Sequence, residues 1–179
     1  MAYHDRTTLT LAAPLTPPLA SQAPALVLES RSDIARIHLK AHYRRLGTSA
    51  RRLRFMGQPS EASMDKIADA ALPDMLIEYV DQGIVRGVIE AYRTKGAHAE
   101  VALSLEDAYQ GRGFGRMLFR AGLHTLKEMG VRHVDLYCMR NNTAVLALVR
   151  SAGGSVRYLY GDAFAEVCLD RVLAQPSAG

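Results

Sequence analysis

The stretch that decides the fold is VALSLEDAYQGRGFGRMLF, Val101 to Phe119. Val101, Leu103 and Leu105 alternate with Ala102 and Ser104, the period of a strand with one apolar face. An acidic turn follows, then glycines at 111, 113 and 115 interleaved with Arg112 and closed by Arg116. From there a helix is expected to run to Gly130. Leu118, Ala121, Gly122, Leu126 and Met129 form its apolar side; Arg116, Arg120, His124 and Lys127 form its polar side. Strand, glycine turn and helix start together make an anion site. Glycines let the backbone approach closely, the first N–H groups of a helix lack internal partners, and the helix dipole favours negative charge.

Outward from this stretch, ALVLES (25–30) suits a short strand. Ser32 and Asp33 offer caps for a helix carrying Ile34, Ile37 and Ala41 and ending near Gly47. A second helix fits SEASMDKIADAAL, stopped by Pro73. DMLIEYV and IVRGVIEAYR flank the turn DQG and read as a β-hairpin, and AHAEVALSL is the next strand. After the glycine-led helix come the strand VRHVDLYCM and the helix NNTAVLALVRSAGG, with Asn141 or Asn142 as N-cap. SVRYLY and AFAEVCLDRVL close the chain as an antiparallel pair. The order predicts a mixed α/β (α+β) domain, not an all-parallel sheet.

Which anion the turn holds is narrowed by what it lacks. No Gly-Lys-Ser/Thr follows, so the lysine and the magnesium-binding hydroxyl of a P-loop are missing. A dinucleotide fingerprint needs its third glycine at 116, where Arg116 stands, and an acid after the next strand, whereas Asp135 lies inside it. A plain structural turn is the bland alternative. Gln110-Gly111-Arg112-Gly113-Phe114-Gly115 instead matches the pattern Gln/Arg-x-x-Gly-x-Gly/Ala. With the strand before it and the two helices after it, residues 26–172 resemble the GNAT superfamily of N-acetyltransferases.

The resemblance implies a mostly antiparallel central sheet flanked by helices. It implies that backbone amides of Gly111, Arg112, Gly113, Phe114, Gly115 and Arg116 hold the pyrophosphate of acetyl-CoA. It also implies that Leu103, Ser104 and Leu105 pair with the pantetheine arm, where a bulge splays the strand from its neighbour. Asn142 matches a family asparagine near that arm, and helix capping is a compatible role. YRRLGTSARRLRFMGQPSEASMDKIA together with AEVALSLEDAYQGRGFG looks, more narrowly, like the acetyltransferase domain of bacterial protein lysine acetyltransferases. That likeness implies a protein lysine as acceptor.

An amine attacks a thioester only when neutral. At pH 7 the protonated form of a free lysine is favoured by about 4.6 kcal/mol. A carboxylate in the cleft can take that proton. By the resemblance the general base is Glu100, in AEVAL; a solvated or hydrogen-bonded structural glutamate is the competing reading. Glu90 on the neighbouring strand is the alternative base. Glu106 and Asp107 read as solvated or turn-forming, and His98 as a surface histidine. The family's tyrosine, which protonates the departing thiolate, is replaced by Val149; Tyr137 could substitute but reads better as a packing residue. No nucleophile signature such as G-x-S-x-G is found, so direct transfer in a ternary complex is expected. The six histidines are scattered and Cys138 and Cys168 lie 30 residues apart, so no metal is expected. Two alternatives stay open: a polyamine or antibiotic amine as acceptor, or a non-catalytic acyl-CoA-binding module.

Composition bounds the rest. Of 179 residues, 49% are hydrophobic and 22% charged, which suits a globular domain and argues against disorder. No apolar run approaches the ~20 residues a membrane span needs. Residues 1–24 read as a flexible Pro/Ala-rich extension, 25–174 as the GNAT-like domain and 175–179 as a tail. A signal peptide is disfavoured by Asp5 and by Pro14, Pro17 and Pro18 in the apolar part. Two cysteines read as reduced thiols predict a cytoplasmic setting. Much of the net charge of +4 sits between Arg31 and Arg54. That cluster reads as a solvated face, a phosphate surface or a dock for an acidic partner. No nucleic-acid motif accompanies it, so neither nucleic acid nor membrane is an expected partner.

Overall fold

The computed structural model describes residues 23–172. The tail at 175–179 and all but two residues of the extension expected at 1–24 lie outside these. The elements run β1 (Ala25–Glu29), α1 (Ser32–Arg45), α2 (Thr48–Phe55), α3 (Glu61–Ala70), β2 (Met75–Asp81), β3 (Ile84–Arg93) and β4 (His98–Leu105). A 3-10 turn (Asp107–Tyr109) leads to α4 (Phe114–Glu128), β5 (His133–Met139), α5 (Thr143–Ser151), β6 (Ser155–Leu159), β7 (Asp162–Cys168) and α6 (Leu169–Val172). One seven-stranded sheet has the order β1-β2-β3-β4-β5-β7-β6. Among the described strands only β4 and β5 are parallel neighbours; every other pair is antiparallel.

Strand alternation divides the core in two. Ile89 and Ala91 of β3, Ala99 and Val101 of β4, and Val134 and Leu136 of β5 pack with Leu118, Leu123 and Leu126 of α4. Leu76, Val85 and Val88 point the other way, against Leu39 and Tyr43 of α1 and Met64 and Ala68 of α3. Helices therefore cover both faces, but α1 to α3 cover mainly the β1–β4 half. The opposite half of that face is left open, and there Tyr137 is 57% exposed.

Three expectations change here. Neither Ser32 nor Asp33 caps α1: Arg31 occupies the cap position without a side-chain bond, and Asp33 pairs with Arg31. The Arg-rich segment is mostly tied down within the chain. Lys40 pairs with Asp69, Arg44 with Asp65, Arg45 with Glu106 and Arg54 with Glu90. The helix α2 was not expected. Its basic residues mask a short apolar set, Ala50, Leu53 and Phe55, too brief to show a helical stripe.

Candidate active site

The glycine turn is built as the residues suggested. Gly111 and Gly113 take positive φ, 69° and 87°, which side chains resist. Gly113 stands at the N-cap of α4, and the first helical bond runs from Met117 N–H to the Gly113 carbonyl. The N–H groups of Phe114, Gly115 and Arg116 therefore have no helical acceptor. Gln110 braces the turn: its amide donates to the Leu105 carbonyl at 3.0 Å and to Asp107 at 3.2 Å. The side chains of Arg112 and Phe114 turn away from the anion position. Phe114 stacks on Tyr79 at 4.4 Å, and the Arg112 guanidinium lies over the rings of Tyr109 and Phe114.

Strand β4 parts from β5 at the level of this turn. The two pair only through His98–Glu100 and His133–Asp135. The expected bulge is not in the β3–β4 ladder, whose register runs without slip from Arg93↔Ala99 to Gly87↔Leu105. The separation arises on the β5 side alone. Thr94 N–H to His98 O and Glu106 N–H to Arg86 O show that even-numbered β4 residues bond toward β3. Val101, Leu103 and Leu105 accordingly present their N–H and C=O groups toward the split. The Leu105 carbonyl is met by Gln110, which leaves the Leu103 pair for a ligand.

A cavity of about 490 Å³ runs through this split. Leu103, Ser104 and Leu105 line it, with Gly111, Gly113, Gly115 and Arg116 at one end and Asn142, Ala144 and Leu148 of α5 along one wall. Asn142 also caps α5, accepting from Val145 N–H at 3.3 Å, which is the capping role expected of it. The opposite wall comes from α2, through Ala50, Leu53 and Arg54. These three were missed in the sequence because no cue links an arginine-rich helix to a β4 strand some 50 residues later.

Below the cavity lies a closed polar cluster. Glu90, fully buried, accepts from Arg54 Nη2 at 2.8 Å, Tyr43 OH at 2.7 Å and Tyr92 OH at 2.9 Å. Burial works to raise the Glu90 carboxyl, but Arg54 and the two hydroxyls hold it below the usual range. A carboxylate so committed is a poor proton acceptor, so Glu90 is structural. His42 and Ser104 form a second buried pair, Nε2 to Oγ at 2.9 Å. Burial pushes the His42 imidazole down to about 4, so it is neutral at pH 7.

Glu100 stands on the open face, exposed, beside Asp135 in the parallel register and opposite Tyr92. His98 meets Asp135 at 3.0 Å and stacks on His133 at 4.6 Å. Glu106 is not solvated: it is buried and paired with Arg45 and Arg86. Val149 is fully buried in the core, and Tyr137 lies on β5 against Phe164, outside the lining of the cavity. Cys138 and Cys168 are free thiols. The one convergence of metal-ligand types among the described residues, Glu29, His38 and Glu78, was hidden by sequence distance. His38 Nδ1 already bonds both Glu78 oxygens, at 2.8 and 3.0 Å, so the group serves as a tie between α1 and β2. No described helix is long and apolar enough to cross a membrane.

A parallel split beside a glycine-led helix defines an acyl-CoA-binding transferase architecture, and comparison with known proteins agrees. The acetyltransferase (GNAT) family model matches residues 43–153. This chain belongs to that family. The GNAT domain of S. lividans PAT has a similar fold, with a TM-score of 0.65 and 17% identity, covering 81% of this chain and 90% of that one. A putative acetyltransferase from Salmonella typhimurium, yncA, solved with its cofactor acetyl-CoA, gives 0.61 at 20% identity over 88% of this chain and all of that one. A mycothiol acetyltransferase of Corynebacterium glutamicum (strain R) is 41% identical over 54 residues, 30% of this chain. That match spans only 18% of the relative's length. Acetyl-CoA fits the site as co-substrate: the turn offers free helix N–H groups and β4 an open edge.

Proposed function

We propose that this protein transfers an acetyl group from acetyl-CoA to a primary amine, with a protein lysine as acceptor. One observation carries the reading: the strand that lines the cavity at Leu103–Leu105, beside the anion-binding turn, carries Glu100 exposed on an acid-bearing open face. On that face Glu100, Asp135 and Glu166 stand on adjacent strands β4, β5 and β7. Carboxylates there suit a cationic amine, and an open sheet face suits a protein side chain better than an enclosed small molecule.

The thioester supplies the activated acetyl group. The amine arrives from the open face as an ammonium ion. Glu100, directly or through water, removes its proton; the C–N bond forms as the C–S bond breaks. The Leu103 N–H, free toward the split, donates to the carbonyl oxygen as charge grows on it. With valine at 149 and Tyr137 outside the cavity, the second proton that the nitrogen sheds as the amide forms passes through water to the departing thiolate.

The test is coenzyme A release with acetyl-CoA against panels of lysine peptides, polyamines and aminoglycosides, with mass spectrometry of the products. Acetylated peptide lysine is the expected outcome. Turnover confined to small amines would move the assignment to them, and tight acetyl-CoA binding with no turnover would make the chain a binding module.

A further inference from the structure

We propose that Arg54 is a second donor to the acyl carbonyl, its guanidinium forming, with the β4 backbone, the pocket in which charge develops. The proposal rests on the acetyl-transfer reading above. Arg54 lines the cavity from α2. Its Nη2 is committed to Glu90 at 2.8 Å and to Tyr43 OH at 3.1 Å. Its Nε is buried without a partner, and Nη1 has none among the described residues. A guanidinium has five N–H donors and satisfies them wherever it is buried. Nε is enclosed and out of a ligand's reach, so Nη1 is the donor left uncommitted where Arg54 lines the cavity.

Its position along β4 is the telling feature. Glu90, which anchors it, pairs with Ala102. Ala102 lies between Ser104, which lines the cavity, and Glu100, the base. An arm laid along Leu105 and Leu103 with its phosphates at Gly111 therefore ends in the neighbourhood of Arg54. The small side chain at 102 leaves that face of the strand clear. The guanidinium is also held fast: it lies over the rings of Phe55 at 5.1 Å and Tyr43 at 5.4 Å, and Tyr43 and Tyr92 pin its carboxylate partner. A donor fixed in this way needs no reorganisation as negative charge appears on oxygen. Arg54 moves no proton. It is a cation before and after the transfer, and Glu90, Tyr43 and Tyr92 are its positioning residues.

The experiment compares acetyl-CoA with S-ethyl-CoA, the thioether lacking the carbonyl, by calorimetric titration. Wild type is expected to bind acetyl-CoA about tenfold more tightly, the scale of one charge-assisted hydrogen bond. Because Arg54→Gln would strand a buried carboxylate, the variants are Arg54→Lys and the paired Arg54→Met/Glu90→Leu. Each is first checked by melting and gel filtration. In both, the preference is expected to fall to about twofold or less while free coenzyme A binds as in wild type, and turnover is expected to drop about 100-fold. A preference absent from wild type, or retained in the folded paired variant, overturns the proposal. The ligand comparison needs no acceptor, so a wild type that turns over no amine refutes the function and still leaves Arg54 to be judged.

Discussion

His42 Nε2 lies 2.9 Å from Ser104 Oγ, and the other ring nitrogen, Nδ1, is buried without a partner among the described residues. The pair joins α1 to the strand that lines the cavity. Its cost is a neutral histidine locked inside the protein. In the folded chain His42 titrates near 4 because burial disfavours its charge; the ordinary value is 6.5. Between those values the unfolded chain binds a proton that the folded chain does not. Stability from this group is therefore complete above about pH 6.5 and lost as pH falls toward 4, by about 3 kcal/mol. Urea midpoints measured from pH 7.5 to 4 should fall more steeply for wild type than for a folded His42→Gln variant. Parallel curves would remove His42 as the cause.

The glycine turn makes a separable prediction. At Gly113 a side chain would meet no neighbour within 4 Å, so only its φ of 87° opposes one. Gly113→Ala should shift the turn and the first amides of α4 at a cost of about 1–2 kcal/mol. Acetyl-CoA affinity should weaken about tenfold in calorimetry, with most of the melting temperature retained.

Glu100→Gln separates base from binding. Coenzyme A release should fall by about 10² or more at pH 7, with acetyl-CoA affinity changed less than about twofold. The deficit should shrink toward pH 10, where solution deprotonates the amine. An equal loss at every pH would argue that Glu100 only positions the acceptor.

Gly154 tests packing at the far edge of the sheet. A Cβ there would lie 2.7 Å from the Glu166 carbonyl oxygen and 2.7 Å from Val149 Cγ1. Gly154→Ala should cost about 1–3 kcal/mol and lower the melting temperature by several degrees. Gly161→Ala, with nothing within 4 Å of the new atom, is the control and should melt near wild type.

The local signals were legible because they are local. Alternation over Val101–Leu105, three closely spaced glycines and an amphipathic run to Gly130 each follow from short-range sterics and from which face meets water. They suffice for the strand, the anion-binding turn and the helix behind it, and so for the family. The tertiary structure decided what depends on residues distant in sequence. It closed Arg54, Tyr43 and Tyr92 around Glu90, turning the alternative base into a buried counter-ion. It buried Glu106 between Arg45 and Arg86. It left Glu100 on an open face because α1 to α3 cover only part of the sheet. A carboxylate's role depends on which cations and how much water surround it, and neither is written in its sequence neighbours.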